Sequence, residues 1–271
     1  MNKLNIGCGD RFAKGWTNID FHSSDASVTR VNILRGLPYP EASFDVVYSS
    51  HVLEHFPRDT AGRMLKEMHR VLKPGGLVRV VVPDLEQTCR EYLRVLDQMA
   101  DSPRARKQYD WVVLELLDQL TRTRPSGLTL PYLKHLTDER DQEMLDYVQS
   151  RTQNTLLPTF QPDSVRDRLR RMTPAKVVTK LVYFYIGFVK RLLPPHLREA
   201  IVDDSRIGEK HRWMYDRHGI TLMLRDSGFT DIRFLSATDS QIDGFGADHL
   251  DTLPDGRPYK NVSLYCEARK G

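Results

Sequence analysis

Two short apolar runs separated by a glycine turn open the chain. Residues 4–6 alternate apolar and polar side chains and lead into Gly7-Cys8-Gly9, and a second run at residues 16–19 ends at Asp20. This spacing predicts two neighbouring parallel strands of an open α/β sheet. We expect the glycine turn to follow the first strand and the carboxylate to lie at the tip of the second.

Strand and helix patterns continue to alternate after this opening. Residues 31–33 resemble the end of a third strand, and the β-branched and aromatic run 46–50 predicts a fourth. Apolar residues three and four positions apart between residues 64 and 72 predict an amphipathic helix. Residues 73–76, Lys-Pro-Gly-Gly, end that helix, because proline cannot continue it and glycine supplies the reversal. The β-branched run 77–82 is typical of an interior parallel strand.

A further helix is predicted after Asp84. This residue can cap the helix N-terminus, and Gln87 stands three positions later, as in a capping box. The apolar side of the helix consists of Leu85, Cys89, Tyr92, Leu93 and Leu96.

The pattern changes at about residue 98. From residue 99 to about 205 helical spacing replaces the alternation, and strand patterns return only at 231–235 and 262–268. We therefore predict one α/β domain formed by residues 1–98 and 206–271, with residues 99–205 as a helical insertion.

The glycine turn and Asp20 together indicate a nucleoside-containing cofactor. Glycine lets a ligand approach the backbone where a Cβ atom would collide, and a carboxylate at a strand tip can accept hydrogen bonds from both ribose hydroxyls. A dinucleotide fingerprint needs a third glycine, but Phe12 stands at that position, and no Gly-Lys-Ser/Thr of a P-loop follows. Close glycine contact without a diphosphate-binding loop fits S-adenosylmethionine, which has a ribose and an adenine but no phosphate.

Four motifs lie within the first hundred residues. They are Gly7-Cys8-Gly9, Asp20, the Ser-Ser-His-Val-Leu-Glu-His segment 49–55 and the Arg-Val-Leu-Lys-Pro-Gly-Gly segment 70–76. Together they resemble class I S-adenosylmethionine-dependent methyltransferases, in the type 11-like small-molecule branch that also includes ubiquinone-biosynthesis methyltransferases. The resemblance implies a Rossmann-like, doubly wound, mostly parallel α/β sheet with an antiparallel last strand. The sequence departs from the family in a shortened first crossover and at Asn32, where relatives often carry aspartate.

The resemblance also implies which residues contact the cofactor, S-adenosylmethionine, the methyl donor. We expect the first turn and Asp20 to bind the nucleoside, Asn32 to hydrogen-bond the adenine, and residues at the end of the fourth strand to complete the site. The candidate cofactor-binding residues are Gly7, Cys8, Gly9, Asp20, Asn32, Ile33, Ser49 and Ser50.

Methyl transfer to a hydroxyl requires a group that removes the proton of the nucleophile. His51, Glu54 and His55 follow the fourth predicted strand, and at spacings of three and four on an opening helix they can share one side. His211 lies where the chain returns from the insertion. Because the pKa of histidine is near neutral, His51 or His211 is predicted as the general base, with Glu54 and His55 in structural roles.

The same four residues allow a second interpretation, as a metal site. Magnesium-dependent small-RNA 2′-O-methyltransferases resemble this pattern with Glu-x-x-Glu-His, but His51 replaces the first glutamate here. A hard cation prefers oxygen ligands, so the replacement lowers the affinity for magnesium. We favour the alternative in which Glu54 and His55 cap and pack the helix start. A metal is disfavoured without being excluded.

One segment of the insertion, and another just after it, provide information on the acceptor. Residues 111–120 predict a helix with a polar face, which is either solvated, as we favour, or lines the acceptor pocket. This helix and residues 208–216 resemble uncharacterised methyltransferases near glycan and lipopolysaccharide biosynthesis. The insertion is therefore expected to be a lid over a small-molecule or glycan-type acceptor. The polar face consists of Glu115, Asp118, Gln119 and Arg122.

Positive charge is concentrated in residues 165–200. This segment has nine Arg or Lys residues against two acids, whereas the net charge of the whole chain is +4. Within it, residues 176–191 enclose an apolar, aromatic run that is far shorter than the ~20 residues needed to cross a bilayer. This run is either a helix on an anionic membrane surface or a buried lid helix. Nucleic acid is disfavoured as a partner, because the aromatics do not alternate with the charges.

The cysteine content and spacing restrict the cellular compartments in which the protein is expected to occur. The three cysteines lie far apart without C-x-x-C spacing, which fits a reducing compartment. We expect no secretory signal ahead of the first strand, and hence a cytoplasmic protein or one at the inner membrane surface. The sequence predicts O-methylation of a small-molecule, glycan or lipid-linked acceptor. The alternatives are an RNA 2′-O-methyltransferase with metal assistance and a non-catalytic membrane-associated scaffold that retains the fold.

Overall fold

A seven-stranded sheet forms the centre of the protein. The computed structural model describes residues 1–23, 25–100, 102–123, 126–152, 174–194 and 210–271. The strand order across the sheet is β3-β2-β1-β4-β5-β7-β6. The strands are β1 (Lys3–Ile6), β2 (Thr17–Asp20), β3 (Val28–Arg30), β4 (Phe44–Ser50), β5 (Leu72–Pro83), β6 (Phe229–Leu235) and β7 (Ser263–Lys270).

Only β7 runs against the other strands of this sheet. β1 pairs in parallel with β2 and β4, and β7 pairs antiparallel with both β5 and β6. In this register Ile6 stands opposite Ile19 on one side and Ser49 on the other. The turns that follow β1, β2 and β4 therefore meet at one edge of the sheet. The predicted fold class, mostly parallel with an antiparallel last strand, is confirmed.

Seven α-helices are described in these parts of the chain. α1 shows the predicted amphipathic pattern, and its buried side consists of Ala61, Met64, Leu65, Met68 and Val71. Asp84 caps α2 by accepting a hydrogen bond from the amide of Gln87, at 3.1 Å. The helices are α1 (Arg58–Val71), α2 (Leu85–Gln98), α3 (Pro103–Thr121), α4 (Thr129–Asp138), α5 (Gln142–Thr152), α6 (Pro174–Leu192) and α7 (Arg217–Asp226).

The structure corrects three predicted boundaries. β3 ends at Arg30, and a 3-10 turn begins at Ile33, where the sequence had suggested a strand end. β5 begins at Leu72, directly after α1, so the segment predicted as a helix stop is already strand. The segment 51–55 does not open a helix, because a 3-10 turn covers Leu53–His55 and α1 starts only at Arg58.

Two apolar clusters lie against the sheet. One contains residues of β1, β4 and β5 packed against α1 and α7. The other contains Trp16 and Tyr48, and it is closed by the segment 237–250, including Phe245. Different elements thus cover the sheet in the two clusters. The edge at which β1, β2 and β4 end is left for the turns.

The helices α2 to α5 share a third apolar cluster of their own, around Trp111 and Leu136. The boundaries at residues 98 and 206, and the lid role of the insertion, stay predictions. Five of the nine basic residues of the 165–200 segment, from Arg166 to Arg171 and Arg198, lie outside the described residues, as do Gly208 and Glu209. Among the described helices, none has the length and apolar character to cross a bilayer.

Candidate active site

The turns after β1 and β2 are joined by hydrogen bonds. The amide of Gly7 donates to the carbonyl of Ile19 at 2.8 Å, and the amide of Gly9 donates to Asp20 Oδ2 at 2.9 Å. The other oxygen, Oδ1, accepts from the amide of His22 at 3.0 Å. These bonds fix the orientation of the Asp20 carboxylate at the sheet edge. Each carboxylate oxygen keeps a further lone pair that can accept a hydroxyl hydrogen bond.

The two glycines of the first turn have different roles. Both have positive φ angles, +65° at Gly7 and +50° at Gly9. A Cβ atom on Gly7 would lie 2.4 Å from Val52 Cγ2, whereas a Cβ atom on Gly9 would meet nothing within 4 Å. Gly7 is therefore required by the packing of Val52, and Gly9 leaves open space in which a ligand can approach the backbone.

The other predicted residues of the turns after β1 and β3, which are Cys8, Asn32 and Ile33, differ in how far their side chains are exposed. Cys8 is buried, and burial and Asp20 raise the pKa of its thiol to about 11, so the thiol is not ionised at neutral pH. Asn32 is exposed, and its side-chain oxygen accepts from the amide of Leu34 at 3.1 Å. The side chain of Ile33 is buried in the core, so only its backbone is available to a ligand.

The end of β4 completes this edge. Ser49 is buried, and its hydroxyl has no hydrogen-bond partner within the described ranges. Ser50 is half-buried. His51 follows with φ +53°, a left-handed conformation that is uncommon for residues other than glycine. This local bend turns His51 away from the strand direction and towards the cavity described below.

Both ring nitrogens of His51 are hydrogen-bonded. Nδ1 lies 3.0 Å from Glu54 Oε1, and Nε2 lies 3.1 Å from Ser263 Oγ. A carboxylate only accepts hydrogen bonds, so Nδ1 carries the proton and Nε2 offers a lone pair that accepts from Ser263. Burial and the charge of Lys260 lower the pKa of His51 against the opposing effect of Glu54, and the neutral ring is favoured.

Glu54 is fully buried beneath His51. Burial alone would raise the pKa of its carboxyl group, but the hydrogen bond from His51 and the neighbouring histidines lower it to about 2. The second carboxylate oxygen, Oε2, has no partner among the residues that the structure describes. One oxygen of this buried charge thus orients His51, and the other is available.

A cavity of 420 Å³ opens beside these groups. It brings together both predicted catalytic histidines, His51 and His211, with Glu54 and His55. None of the predicted cofactor-binding residues contributes to its lining. Those residues lie at the neighbouring part of the sheet edge. The cavity is large enough to admit a small acceptor.

Backbone hydrogen bonds fix the return of the chain to the sheet. The amides of Arg212 and Trp213 both donate to the carbonyl of Glu54, at 2.6 and 3.3 Å. The amide of His211 donates to the carbonyl of Gln119 in α3, at 2.8 Å. Burial lowers the pKa of His211 to about 3, so its imidazole is neutral.

The polar face of α3 is not solvated, contrary to the favoured prediction. Glu115 and Gln119 line the cavity. Asp118 and Arg122 form a buried ion pair, with 2.7 Å between Asp118 Oδ2 and Arg122 Nη2. Of the four polar residues on this face, Glu115 and Gln119 therefore face the cavity, whereas Asp118 and Arg122 stabilise the end of the helix.

Three residues of the site were missed in the sequence. Ser263 contacts His51, Lys260 lines the cavity, and Arg151 of α5 joins it through an ion pair with Glu115, with 2.7 Å between Arg151 Nε and Glu115 Oε2. The pKa of Lys260 is lowered by burial. Ser263 is the first residue of the last strand and pairs in register with Pro83 of β5. This position at the strand end is the only signal from which its place in the site could have been predicted.

Comparison with known proteins identifies the N-terminal part of the chain. Residues 8–80 match the methyltransferase domain family. Residues 8–80 of this chain are thus similar to a methyltransferase domain. The predicted family and methyltransferase class are thereby confirmed, and the family implies S-adenosylmethionine as the methyl donor. The similarity to proteins near glycan biosynthesis stays a prediction.

One curated relative and two solved structures illustrate the similarity. The protein named "Probable methyltransferase ltbC" from Aspergillus luteorubrus is 50% identical over 48 residues, which are 17% of this chain and 17% of that protein. An S-adenosylmethionine-dependent methyltransferase structure from Thermotoga maritima is 13% identical, with TM-score 0.41 and coverage of 100% of this chain and 82% of that chain. One from Archaeoglobus fulgidus is 12% identical, with TM-score 0.40 and coverage of 99% and 86%. The chain thus matches about a sixth of the curated relative, and the family assignment depends on the N-terminal segment.

The residues at the sheet edge fit this donor. The open approach above Gly9 and the two-sided carboxylate of Asp20 suit a ribose without a phosphate chain. The unpartnered hydroxyl of buried Ser49 is a further polar group at the same edge. The sequence departure at Phe12 agrees with this fit, because no third glycine is needed when no diphosphate is bound.

Proposed function

We propose that the protein transfers a methyl group from S-adenosylmethionine to a hydroxyl group of a small-molecule or glycan-type acceptor bound in the cavity beside His51. The observation that carries the proposal is the hydrogen-bonded series Glu54–His51–Ser263, in which Glu54 and His51 line the cavity, one strand away from the Gly9–Asp20 pair. It supports a base positioned between the donor edge and an acceptor.

The mechanism assigns separate tasks to the residues at this edge. S-adenosylmethionine supplies an electrophilic methyl group on a sulfonium sulfur. Asp20 accepts hydrogen bonds from the ribose, and the bare backbone at Gly9 lets the donor lie close. An acceptor hydroxyl that replaces Ser263 at His51 Nε2 gives up its proton there, and the Glu54 carboxylate stabilises the resulting imidazolium through Nδ1.

Binding of S-adenosylhomocysteine, which is the donor after loss of its methyl group, tests the donor site. We expect S-adenosylhomocysteine to bind the wild-type protein in calorimetric titration and to bind Asp20→Asn at least ~10-fold more weakly, because two hydroxyl hydrogen bonds to a charged group are weakened. Gly9→Ala is expected to weaken binding by blocking the approach to the backbone.

Gly15→Ala is the matched control for Gly9→Ala. Gly15 also has a positive φ, +84°, and also has nothing within 4 Å of an added Cβ atom. Both variants carry a similar conformational cost, ~1 kcal/mol. The donor site is misplaced if the two variants bind S-adenosylhomocysteine equally well, and the proposal fails if the wild-type protein does not bind it.

Replacement of His51 tests the base. His51→Asn keeps a hydrogen-bonding side chain but cannot accept a proton at neutral pH, and we expect kcat to fall by ~10²–10⁴-fold. Binding of S-adenosylhomocysteine should remain unchanged. A kcat within a few-fold of wild type would exclude His51 as the proton acceptor. The acceptor for this assay comes from a screen of cell-envelope glycans and quinone precursors with a labelled methyl donor.

The surface of α6 supports a lipid-linked acceptor at an anionic membrane. Large apolar side chains on this helix are 38–77% exposed. Lys176, Lys180, Lys190 and Arg191 of the same helix are basic, and the helix has no acidic residue. Apolar side chains with flanking positive charge suit the interface of a membrane with anionic lipids. The exposed apolar residues are Leu181, Val182, Phe184, Tyr185, Phe188, Val189 and Leu192.

Vesicle sedimentation tests this part of the proposal. We expect binding to vesicles that contain phosphatidylglycerol, weaker binding to pure phosphatidylcholine vesicles, and loss of binding in Phe184→Glu/Phe188→Glu. The double variant Leu93→Glu/Leu117→Glu, which changes exposed apolar residues on α2 and α3, is the control. Equal binding of both double variants would contradict a role for α6. Methyl transfer to RNA would favour the alternative of an RNA 2′-O-methyltransferase. Vesicle binding with no transfer to any acceptor would favour a non-catalytic membrane-associated scaffold.

A further inference from the structure

The cavity contains a second feature that the methyl-transfer proposal does not use. Glu54, His55 and His211 converge there, and one ligand atom from each lies within 4.8 Å of the others. We propose that these three residues bind a divalent transition-metal ion of the zinc class, with one coordination position open to the cavity.

Glu54 offers one committed and one available oxygen. Its Oε1 accepts from His51 Nδ1, and its Oε2 has no partner in the part of the chain that the structure describes, although the residue is 0% exposed. A buried, ionised oxygen without a partner is costly, because it loses its hydration and gains nothing in return. A bound cation would supply that missing partner.

His55 is held in the tautomer that a metal requires. Its Nδ1 lies 3.1 Å from the carbonyl oxygen of Lys210. A carbonyl can only accept, so Nδ1 carries the proton and Nε2 keeps its lone pair. Metal-binding histidines commonly donate their second nitrogen to a backbone carbonyl in this way, which fixes the ring orientation. The return segment thus orients His55 from behind.

His211 brings the third ligand from a distant part of the chain. Its residue exposure is 7%, and it lines the cavity. The rings of His55 and His211 cross at 77° with 5.1 Å between their centroids. Two imidazoles and one carboxylate thus form the ligand set offered to a dication.

The ligand types decide the class of metal. Two imidazole nitrogens and one carboxylate oxygen match catalytic zinc and related transition-metal sites, whereas magnesium and calcium prefer all-oxygen sets. Three protein ligands leave a fourth position, and all three residues line the cavity. Lys260 lines the same cavity, and its charge would reduce the affinity for a cation.

Cobalt binding to the metal-free, untagged full chain is the direct test, since it needs neither donor nor acceptor. We expect one equivalent of Co²⁺ to give a visible absorption spectrum of low-coordinate type, Zn²⁺ to displace it, and either ion to raise the melting temperature. His211→Asn and Glu54→Gln should weaken binding by more than the ~10–100-fold typical for loss of an outer partner. His218→Asn, an exposed histidine of α7, should bind as wild type does.

Two results would overturn the site. One is the absence of stoichiometric binding by the wild-type protein, and the other is equal affinity in His211→Asn and His218→Asn. Lys260→Met provides a variant that keeps all three ligands, in case the ligand variants fold poorly. Removal of its positive charge should tighten Co²⁺ binding by ~10-fold. An unchanged or lower affinity in Lys260→Met would contradict an ion at this place.

Discussion

Two buried charged clusters lie on the same sheet, and they differ in how completely their polar atoms are paired. In the first, Arg79 on β5 donates to Asp251 Oδ2 at 2.7 Å and to Glu267 Oε1 at 2.8 Å. Tyr48 donates to the other oxygen of Asp251 at 2.5 Å, and the amide of Gln241 donates to Glu267 Oε2 at 2.8 Å. All four carboxylate oxygens of this cluster have partners.

The second cluster is left incomplete. Glu54 is as buried as Arg79 and Glu267, at 0% exposure, but one of its oxygens has no partner among the described residues. Fully satisfied buried networks stabilise a particular packing, whereas an unsatisfied group costs free energy and calls for an explanation. The first cluster is therefore structural, and the second is a site for a ligand.

The largest expected effect is on the complete cluster. Arg79→Met keeps a long side chain but leaves two buried carboxylates without their cation, and we expect the free energy of unfolding to fall by ~3–5 kcal/mol. Urea unfolding measures it. Arg90→Met removes the exposed pair with Glu86 and should cost ~0–1 kcal/mol. Equal losses in the two variants would remove the basis for calling the first cluster structural.

Loss of a single donor to the complete cluster should have a smaller effect. Tyr48→Phe removes the hydrogen bond to the charged Asp251, and we expect a loss of ~1.5–3 kcal/mol in the free energy of unfolding. Ser263→Ala removes the neutral hydrogen bond to His51 and should cost ~0.5–1.5 kcal/mol. Denaturation of both proteins under the same conditions gives the comparison, and the reverse order would contradict it.

The incomplete cluster should tolerate loss of its charge. Glu54→Gln keeps an oxygen that can accept from His51 Nδ1 and removes a buried, half-paired charge. In metal-free protein we expect the free energy of unfolding to fall by less than the ~3–5 kcal/mol expected for Arg79→Met. A loss of 3 kcal/mol or more would show that Glu54 is as structural as the partners of Arg79.

The smallest effect concerns a histidine outside both clusters. Burial and Lys270 lower the pKa of His69 below its ordinary value of 6.5. As pH falls below 6.5, the unfolded chain takes up the proton first, so the contribution of neutral His69 to stability is lost between 6.5 and its lower folded pKa.

The matched measurement is the difference in urea midpoint between about pH 7.5 and about pH 5.5 for wild type and His69→Gln. The difference should be smaller in the variant. If both proteins lose stability equally, His69 is not the titrating group, and the histidines of the incomplete cluster become the better candidates.

The sequence was most informative where the evidence is local. β1, β2, α1 and the cap of α2 follow from apolar spacing and from single residues such as Asp84, because neighbours in the chain decide them. The helix predicted at His51 was wrong, since the positive φ of that residue is imposed by the surroundings at the end of β4. Such a conformation leaves no periodic signal in the sequence.

The composition of the cavity wall could be predicted only in part. His51 was singled out because it follows a predicted strand, and His211 because the chain returns there from the insertion; both line the cavity. Ser263, Lys260 and Arg151 reach the site through tertiary packing across long stretches of chain, and nothing adjacent in sequence marks them. Asp118 and Arg122 were misjudged because an i, i+4 pair looks the same on a helix whether it is buried or solvated.

The paired amides of Arg212 and Trp213 on the carbonyl of Glu54 have a consequence for how this protein can vary. They tie residue 212 to residue 54, and the amide of His211 ties the same segment to Gln119. The long excursion between residues 119 and 211 thus starts and finishes at anchored points. Changes in the length of its interhelical segments are therefore expected to leave the chemical groups on the sheet in their positions.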